Sequence, residues 1–334
     1  MLEASSIFFV ILFIKKKMRL ISGKLRNILV RIKNNNPYLR YLWLKQLATR
    51  KKKMLRFSEK DAVSLLYFPR AQKELDLEHP KTYTEKLQWL KIYYRNDLMP
   101  ILADKYLVRD YLNKQGFGDM LNDLYSVYEN VNEFNAYDLP NQFVLKASHA
   151  SGWNLIVKDK SKIDWWIWKK HMKYWLSHDI AWMGREWHYA EMKPRIICEK
   201  YLEDESGGLT DYKCFCFNGI PRFIYVHVKG KEEYLNFYDP DWNLLPFYDI
   251  DFSDPKKHHD IDKPNFLHEM LAFCTQFSKP FPFVRIDFYI VNNKLRFGEF
   301  TFFPGSGRAD IRPIEWDYKI GEWLTLPKPN RMIE

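Results

Sequence analysis

An α+β fold is what this 334-residue sequence predicts, and three observations predict it. A helical grammar opens at about Ser58 and holds until Asn135. A strand grammar then takes over, interrupted by an amphipathic helix around Asn265–Phe277. Hydrophobic residues make up 46% of the chain and aromatics 17%, enough for a packed core and incompatible with wholesale disorder.

The elements follow in order. Thr82-Tyr83-Thr84-Glu85 reads as a capping box, opening a helix that carries Leu87, Leu90 and Tyr94 on one face. Pro100 suits a first helical position, and Ile101 to Lys114 continues helically until Gly116 stops it. Strands are expected at Phe143–Lys146, Ile196–Tyr201, Tyr212–Phe217, Phe223–Val228, Phe283–Ile290 and Lys294–Phe302. Val291-Asn292-Asn293 between the last two is a hairpin signal. The resulting division is a basic tail over 1–57, a helical leading domain over 58–135 and a body over 136–330.

Charge supports that division. The chain holds 52 Lys/Arg against 42 Asp/Glu, yet residues 1–60 alone hold 16 basic side chains and two Glu. The body is left with 36 basic and 40 acidic groups, so its surface does not read as one that binds nucleic acid. In the tail, Ile7–Ile14 is an apolar run far shorter than the roughly 20 residues that span a bilayer. The charges Lys15–Lys17 follow it, the reverse of a secretion signal. Two readings stand: an anchor on an anionic membrane surface, helped by Trp43 and Lys51–Lys53, or a chain whose natural start is Met18. The four cysteines (Cys198, Cys214, Cys216, Cys274) are too few for a disulfide framework and read as buried free thiols of a cytoplasmic protein.

Three segments carry chemistry. On the strands Val284–Phe288 and Phe297–Thr301, Arg285 and Asp287 share one face, as do Glu299 and Thr301. Hairpin pairing brings two carboxylates and a hydroxyl beside an arginine, a donor set that suits Mg²⁺, or else a surface hairpin with a cross-strand Arg–Glu pair. Lys146 ends a strand just before the small-residue loop Ala147–Asn154, a setting for nucleotide phosphate that lacks the Walker spacing, and one a plain hairpin also explains. Glu199-Lys200-Tyr201-Leu202 precedes Asp211-Tyr212-Lys213, whose two charged residues share a strand face. Asp239-Pro240-Asp241 matches the Asp-x-Asp pattern of a metal-dependent glycosyltransferase, although the following Trp242-Asn243 makes a turn the plainer reading. His258-His259 reads as a solvated loop.

In their order and spacing, these segments with Leu102–Arg109 and Asp211–Gly219 resemble the ATP-grasp superfamily, and within it the TupA-like branch. That branch accompanies polysaccharide and teichuronopeptide biosynthesis genes. The resemblance runs from about Pro80 to Leu326 and implies an ATP-grasp fold with a helical N-terminal region. It implies that Lys146, Ser151 and Gly152 meet the ATP phosphates, and that Glu199, Tyr201 and Leu202 form the run beside adenine, similar to that of D-alanine–D-alanine ligases. Asp211 would take the ribose, Lys213 would lie near phosphate, and Asp287, Glu299 and Thr301 would hold Mg²⁺. Arg285 would stabilise a tetrahedral intermediate. The sequence departs from the pattern at Thr301, where Asn is usual, and at Ala150, where the branch has Gly. The implied activity is ATP-dependent joining of a carboxylate to an amine on a saccharide or uronic-acid-containing acceptor of a capsule, O-antigen or teichuronopeptide. The implied place is the inner face of the plasma membrane. A glycosyltransferase and a non-catalytic scaffold are the rival readings.

Overall fold

The computed structural model describes residue 32 and residues 35–71, 73–204, 208–229, 233–249 and 260–331. Ile7–Ile14, Lys15–Lys17, Met18, Gly207 and the stretch 256–259 lie outside them. Two antiparallel sheets organise the rest. The first has strand order β1-β4-β2-β3, from Leu124–Tyr128 (β1), Phe143–Ala147 (β2), Asn154–Val157 (β3) and Ile196–Lys200 (β4). The second has order β10-β9-β5-β6-β7, from Asp211–Phe217 (β5), Ile220–Val228 (β6), Tyr234–Tyr238 (β7), Phe283–Val291 (β9) and Lys294–Thr301 (β10). Tyr248–Asp249 (β8) and Ile311–Arg312 (β11) form a short third ladder.

Each large sheet has its own apolar core. Beneath the five-stranded sheet, Phe215, Phe223, Phe283 and Phe288 are buried with Phe273 and Phe277 of the helix Leu267–Ser278. The helix Tyr83–Tyr93 joins the same core through Leu87 and Leu90. It starts as its sequence dictates: Thr82 accepts from the Glu85 backbone N–H, and Glu85 accepts from that of Thr82. The four-stranded sheet packs on the helix Trp165–Leu176 and on a helix from the region read as a tail, Pro37–Met54, which we label α1. Asn36 caps α1, Pro37 fills its first turn, and Leu44 and Leu47 are buried. The Tyr41 ring meets the edge of His171 at 5.5 Å.

One predicted helix is broken. Leu98–Ala103 and Leu107–Lys114 are separate helices, and Pro100 sits inside the first rather than at its start. Asp104 turns extended (ψ 117°), and its carboxylate accepts from the Tyr106 and Leu107 backbone N–H groups. The helical pattern of Ile101–Lys114 hides this break because a side chain caps the second helix locally while a tertiary bond, Lys105 N–H to the Ser148 carbonyl, pins it. The hairpin Asn292-Asn293 forms as predicted, with both residues at φ 51°, the left-handed pair a two-residue turn needs.

Candidate active site

Strand register builds the centre of the site. Lys213 lies opposite Asp287, and Thr301 opposite Arg285, so β5, β9 and β10 present their charges side by side. The Arg285 guanidinium donates to both Asp287 oxygens at 2.6 and 2.7 Å, to Glu299 at 3.0 Å and to the Thr301 hydroxyl at 3.0 Å. Lys213 donates to Asp287 at 2.8 Å and lies 3.3 Å from Asp211, which also pairs with Lys229. A register shift between Phe297 and Phe300 turns both rings into the core while Glu299 faces the site. Gly298 is required there: a Cβ would stand 2.9 Å from the Asp287 carbonyl oxygen and 3.1 Å from its Cβ.

The electrostatics follow from this crowding. Burial alone would raise the Glu299 carboxyl, but Lys105, Arg285, Lys213 and the Thr301 hydroxyl hold it down at about 2. Burial likewise opposes ionisation of Asp211, and Lys213, Lys229 and His227 overcome it. Arg285 is held more firmly charged than usual: the Asp287 and Glu299 carboxylates outweigh its desolvation. Glu299, Asp211 and Arg285 are thus held in their charged forms by the neighbours of opposite sign around them.

The other half of the site lies on the four-stranded sheet. Lys146 donates to Glu199 at 2.7 Å across adjacent strands, and Arg109 reaches the same carboxylate at 3.2 Å. Glu199 is thus tied to Lys146 of that sheet and to Arg109 of the helix Leu107–Lys114, while Tyr201 and Leu202 continue past the strand end, half-buried, with Lys158 over the Tyr201 ring at 5.2 Å. The loop after β2 is held at several points. The Ser148 hydroxyl donates to Asp104 at 3.2 Å, Lys105 donates to the Ala150 carbonyl at 2.8 Å, and Arg40 of α1 donates to that of Gly152 at 2.7 Å. Gly152 takes φ 72°, a conformation that L side chains rarely adopt, and Ser151 and Gly152 stay exposed.

Lys105 is the residue that motif reading passed over. It is half-buried against the loop after β2, and burial lowers its pKa while Glu299 opposes the fall. It lay inside the quoted segment Leu102–Arg109, but only the break at Asp104 aims it at the loop. Asp239-Pro240-Asp241 is a turn: Asp239 accepts from the Asp241 and Asn243 backbone N–H groups. The four cysteines are free and buried.

Beside Arg285 and Glu299 opens a cavity of about 590 Å³, bounded by Ser151–Asn154 on one side and the turn Pro304–Arg308 on the other. Gly305, Ser306 and Gly307 in that turn all have positive φ. Among the described residues no group of three or more His, Cys, Asp or Glu is placed to hold a metal ion. Also among them, no helix is long and apolar enough to cross a membrane.

Residues 85–325, well over half of the chain, match the family described as TupA-like ATP-grasp. No curated protein matches. Among solved structures, D-alanine–D-alanine ligase from Helicobacter pylori is 19% identical, covering 73% of this chain and 69% of that one, with a TM-score of 0.40. The D-alanine–D-alanine ligase from Bacillus anthracis complexed with ATP is 16% identical, covering 60% and 55%, at 0.36. The ATP-grasp ligase PsnB complexed with minimal precursor, Mg and ADP is 12% identical, covering 72% and 65%, at 0.38. This chain spans less than two thirds of the length of the last two.

Proposed function

Because the chain belongs to the TupA-like ATP-grasp family, an ATP-binding ligase family, we propose that it joins a carboxylate to an amine through an acyl phosphate, in the synthesis of a bacterial surface polysaccharide. The observation that carries the chemistry is Arg285, held by Asp287, Glu299 and Thr301 at the inner end of a cavity. A carboxylate is a poor electrophile. Its oxygen attacks the γ-phosphorus of ATP, the bond to the β-bridging oxygen breaks, and ADP leaves. The amine nitrogen then attacks the acyl carbon, the C–O bond to phosphate breaks, and amide, inorganic phosphate and a proton are released.

The residues divide that work. Lys146 and Lys105 would meet phosphate charge, with the Ser151-Gly152 backbone as further donors. Asp211, which lies beside Lys213, would take a ribose hydroxyl. Arg285 neutralises the oxyanion that forms as nitrogen adds to the acyl carbon. The cavity walls keep water from the acyl phosphate. Asp287 and Glu299, with the Thr301 hydroxyl, would hold Mg²⁺. The donor set fits, since this ion takes one or two carboxylates and completes its shell with phosphate and water. Glu299 offers it an oxygen with no hydrogen-bond partner among the described residues, because Arg285 and Thr301 both use the other. When bound, the ion would neutralise the phosphate oxygens on which charge builds.

The pathway reading rests on the family's association with polysaccharide and teichuronopeptide genes, and the acceptor we propose is a saccharide carrying a uronic acid. Attachment to the inner membrane face rests on the charge of residues 1–60. The direct test incubates the protein with ATP, Mg²⁺, oligogalacturonate and hydroxylamine, which traps an acyl phosphate as a hydroxamate. Hydroxamate formed in step with ADP supports the ligase. Consumption of a nucleotide sugar, with no ATP-dependent hydroxamate, would establish the glycosyltransferase instead.

A further inference from the structure

Two carboxylates line the cavity, and they are engaged differently. Glu299 accepts from Arg285 and from the Thr301 hydroxyl. Glu186, half-buried just before the helical turn Trp187–Glu191, accepts one hydrogen bond, from the Ser306 hydroxyl to its Oε1. Among the described residues it forms no ion pair. The nearby Lys91 ammonium spends its three N–H groups on Gln88 Oε1 and on the Gly184 and Ser306 carbonyls, at 3.1, 2.8 and 2.6 Å. Burial pushes the Glu186 carboxyl up, and Lys91, the Ser306 hydroxyl and Arg308 offset only part of the rise.

The position is built rather than incidental. Ser306 stands at φ 57°, the left-handed region, which a residue with a side chain adopts only where its surroundings impose it. Gln88 and Lys91, 1% and 2% exposed on the helix Tyr83–Tyr93, impose it here: Gln88 donates to the Gly307 carbonyl at 2.5 Å and Lys91 to that of Ser306. Gly184 makes the close approach possible, since a Cβ there would collide with both the Ser306 hydroxyl and the Glu186 carboxylate. Tyr189 lines the same cavity and feels the charges of Glu186, Glu299 and Arg285 together, so Glu186 lies within electrostatic range of the charged centre. A half-buried carboxylate with one neutral donor and no ion pair is stabilised by a cation that brings N–H groups of its own.

We propose that Glu186, oriented by Ser306, receives the amine substrate as a primary ammonium ion. This rests on the ligase reading above and deepens it by naming the class of amine: one that is cationic at neutral pH, as an amide nitrogen is not. Arg285 and Glu299 serve the carboxyl and phosphate end, and Glu186 holds the nitrogen in the same cavity. Binding tests this without turnover. Propylammonium and 1-propanol, alike in size but not in charge, are titrated by saturation-transfer NMR into the full chain with AMP-PNP and Mg²⁺. Propylammonium should bind and 1-propanol should not. Glu186→Gln can still accept the Ser306 bond, and it should weaken propylammonium by about 10- to 100-fold, the worth of a charge-assisted bond. Glu186→Asp keeps the charge and should retain part of the binding. Equal signals from the two probes on the unaltered protein would overturn the proposal, and so would undiminished propylammonium binding by Glu186→Gln. Hydroxamate formed by a protein that binds no propylammonium would leave the ligase and remove this site. Propylammonium binding without hydroxamate would leave the cation site and remove the ligase.

Discussion

Replacing Asp287 by Asn looks, on the sequence, like a shape-preserving removal of a metal ligand. The structure assigns the change a second consequence. Asp287 is 1% exposed and receives three charge-assisted bonds, two from Arg285 and one from Lys213, all between 2.6 and 2.8 Å. An amide offers one acceptor oxygen and turns an N–H₂ group toward cations. Stranding a buried charge by removing its partner costs about 3–5 kcal/mol. Arg285 keeps Glu299 and Thr301, and Lys213 keeps Asp211, so the lower end, about 3 kcal/mol, is expected. At roughly 2–4 °C per kcal/mol, Tm should fall by about 6–12 °C, alongside loss of ATP turnover. Thermal unfolding of the nucleotide-free protein measures it. Adding Arg285→Met to Asp287→Asn removes the stranded guanidinium, so the double variant should unfold above the single one. A single variant that unfolds within 1 °C of the unaltered protein would refute the reasoning.

Two more expectations follow. Gly298→Ala places a methyl group against Asp287 and the Tyr289 ring, both within 3.1 Å, so overpacking of about 1–3 kcal/mol should lower Tm and turnover together; unchanged turnover would show that Asp287 tolerates the shift. Burial holds His171 down at about 4, against a bond to the Pro37 carbonyl, and His188 at about 3, with Lys91 adding to the effect. The unfolded chain takes up protons below pH 6.5 that the folded one refuses, so these two histidines should make stability decline beneath that pH. The decline approaches about 1.4 kcal/mol per pH unit for each histidine. Tm measured from pH 6.5 to 5 checks it; a level curve would contradict the burial.

Much of this was legible in the sequence where local rules decide. The Thr82–Glu85 capping box and the Asn292-Asn293 turn are set by neighbours in the chain. The alternation of Arg285, Asp287, Glu299 and Thr301 places four site groups on one face once two strands pair. Features fixed by distant partners were not legible. The helix Trp165–Leu176 carries four tryptophans, whose bulk suits strands as well as helices. The strands Leu124–Tyr128 and Tyr234–Tyr238 take their identity from pairing with β4 and β6. Lys105 reaches the site through a break bonded to Ser148, and Arg40 reaches it because α1 folds back across more than a hundred residues to touch Gly152.

The four-stranded sheet enters and leaves the chain at one place. Leu124 is the register partner of Glu199, and the Lys200 N–H donates to the Asp123 carbonyl at 2.9 Å. Residues 124–200 are therefore inserted into the other unit through a neck two strands wide, whose ends touch. Across from that neck, Lys105 of the other unit reaches the Ala150 carbonyl, whereas Arg40 belongs to α1, which shares the core of the four-stranded sheet, so its bond to the Gly152 carbonyl lies inside that unit. Lys105 and Arg40 stand one on each side of the family-match boundary at residue 85. The loop carrying Ala150 and Gly152 is thereby held from both units, once across the gap and once from within.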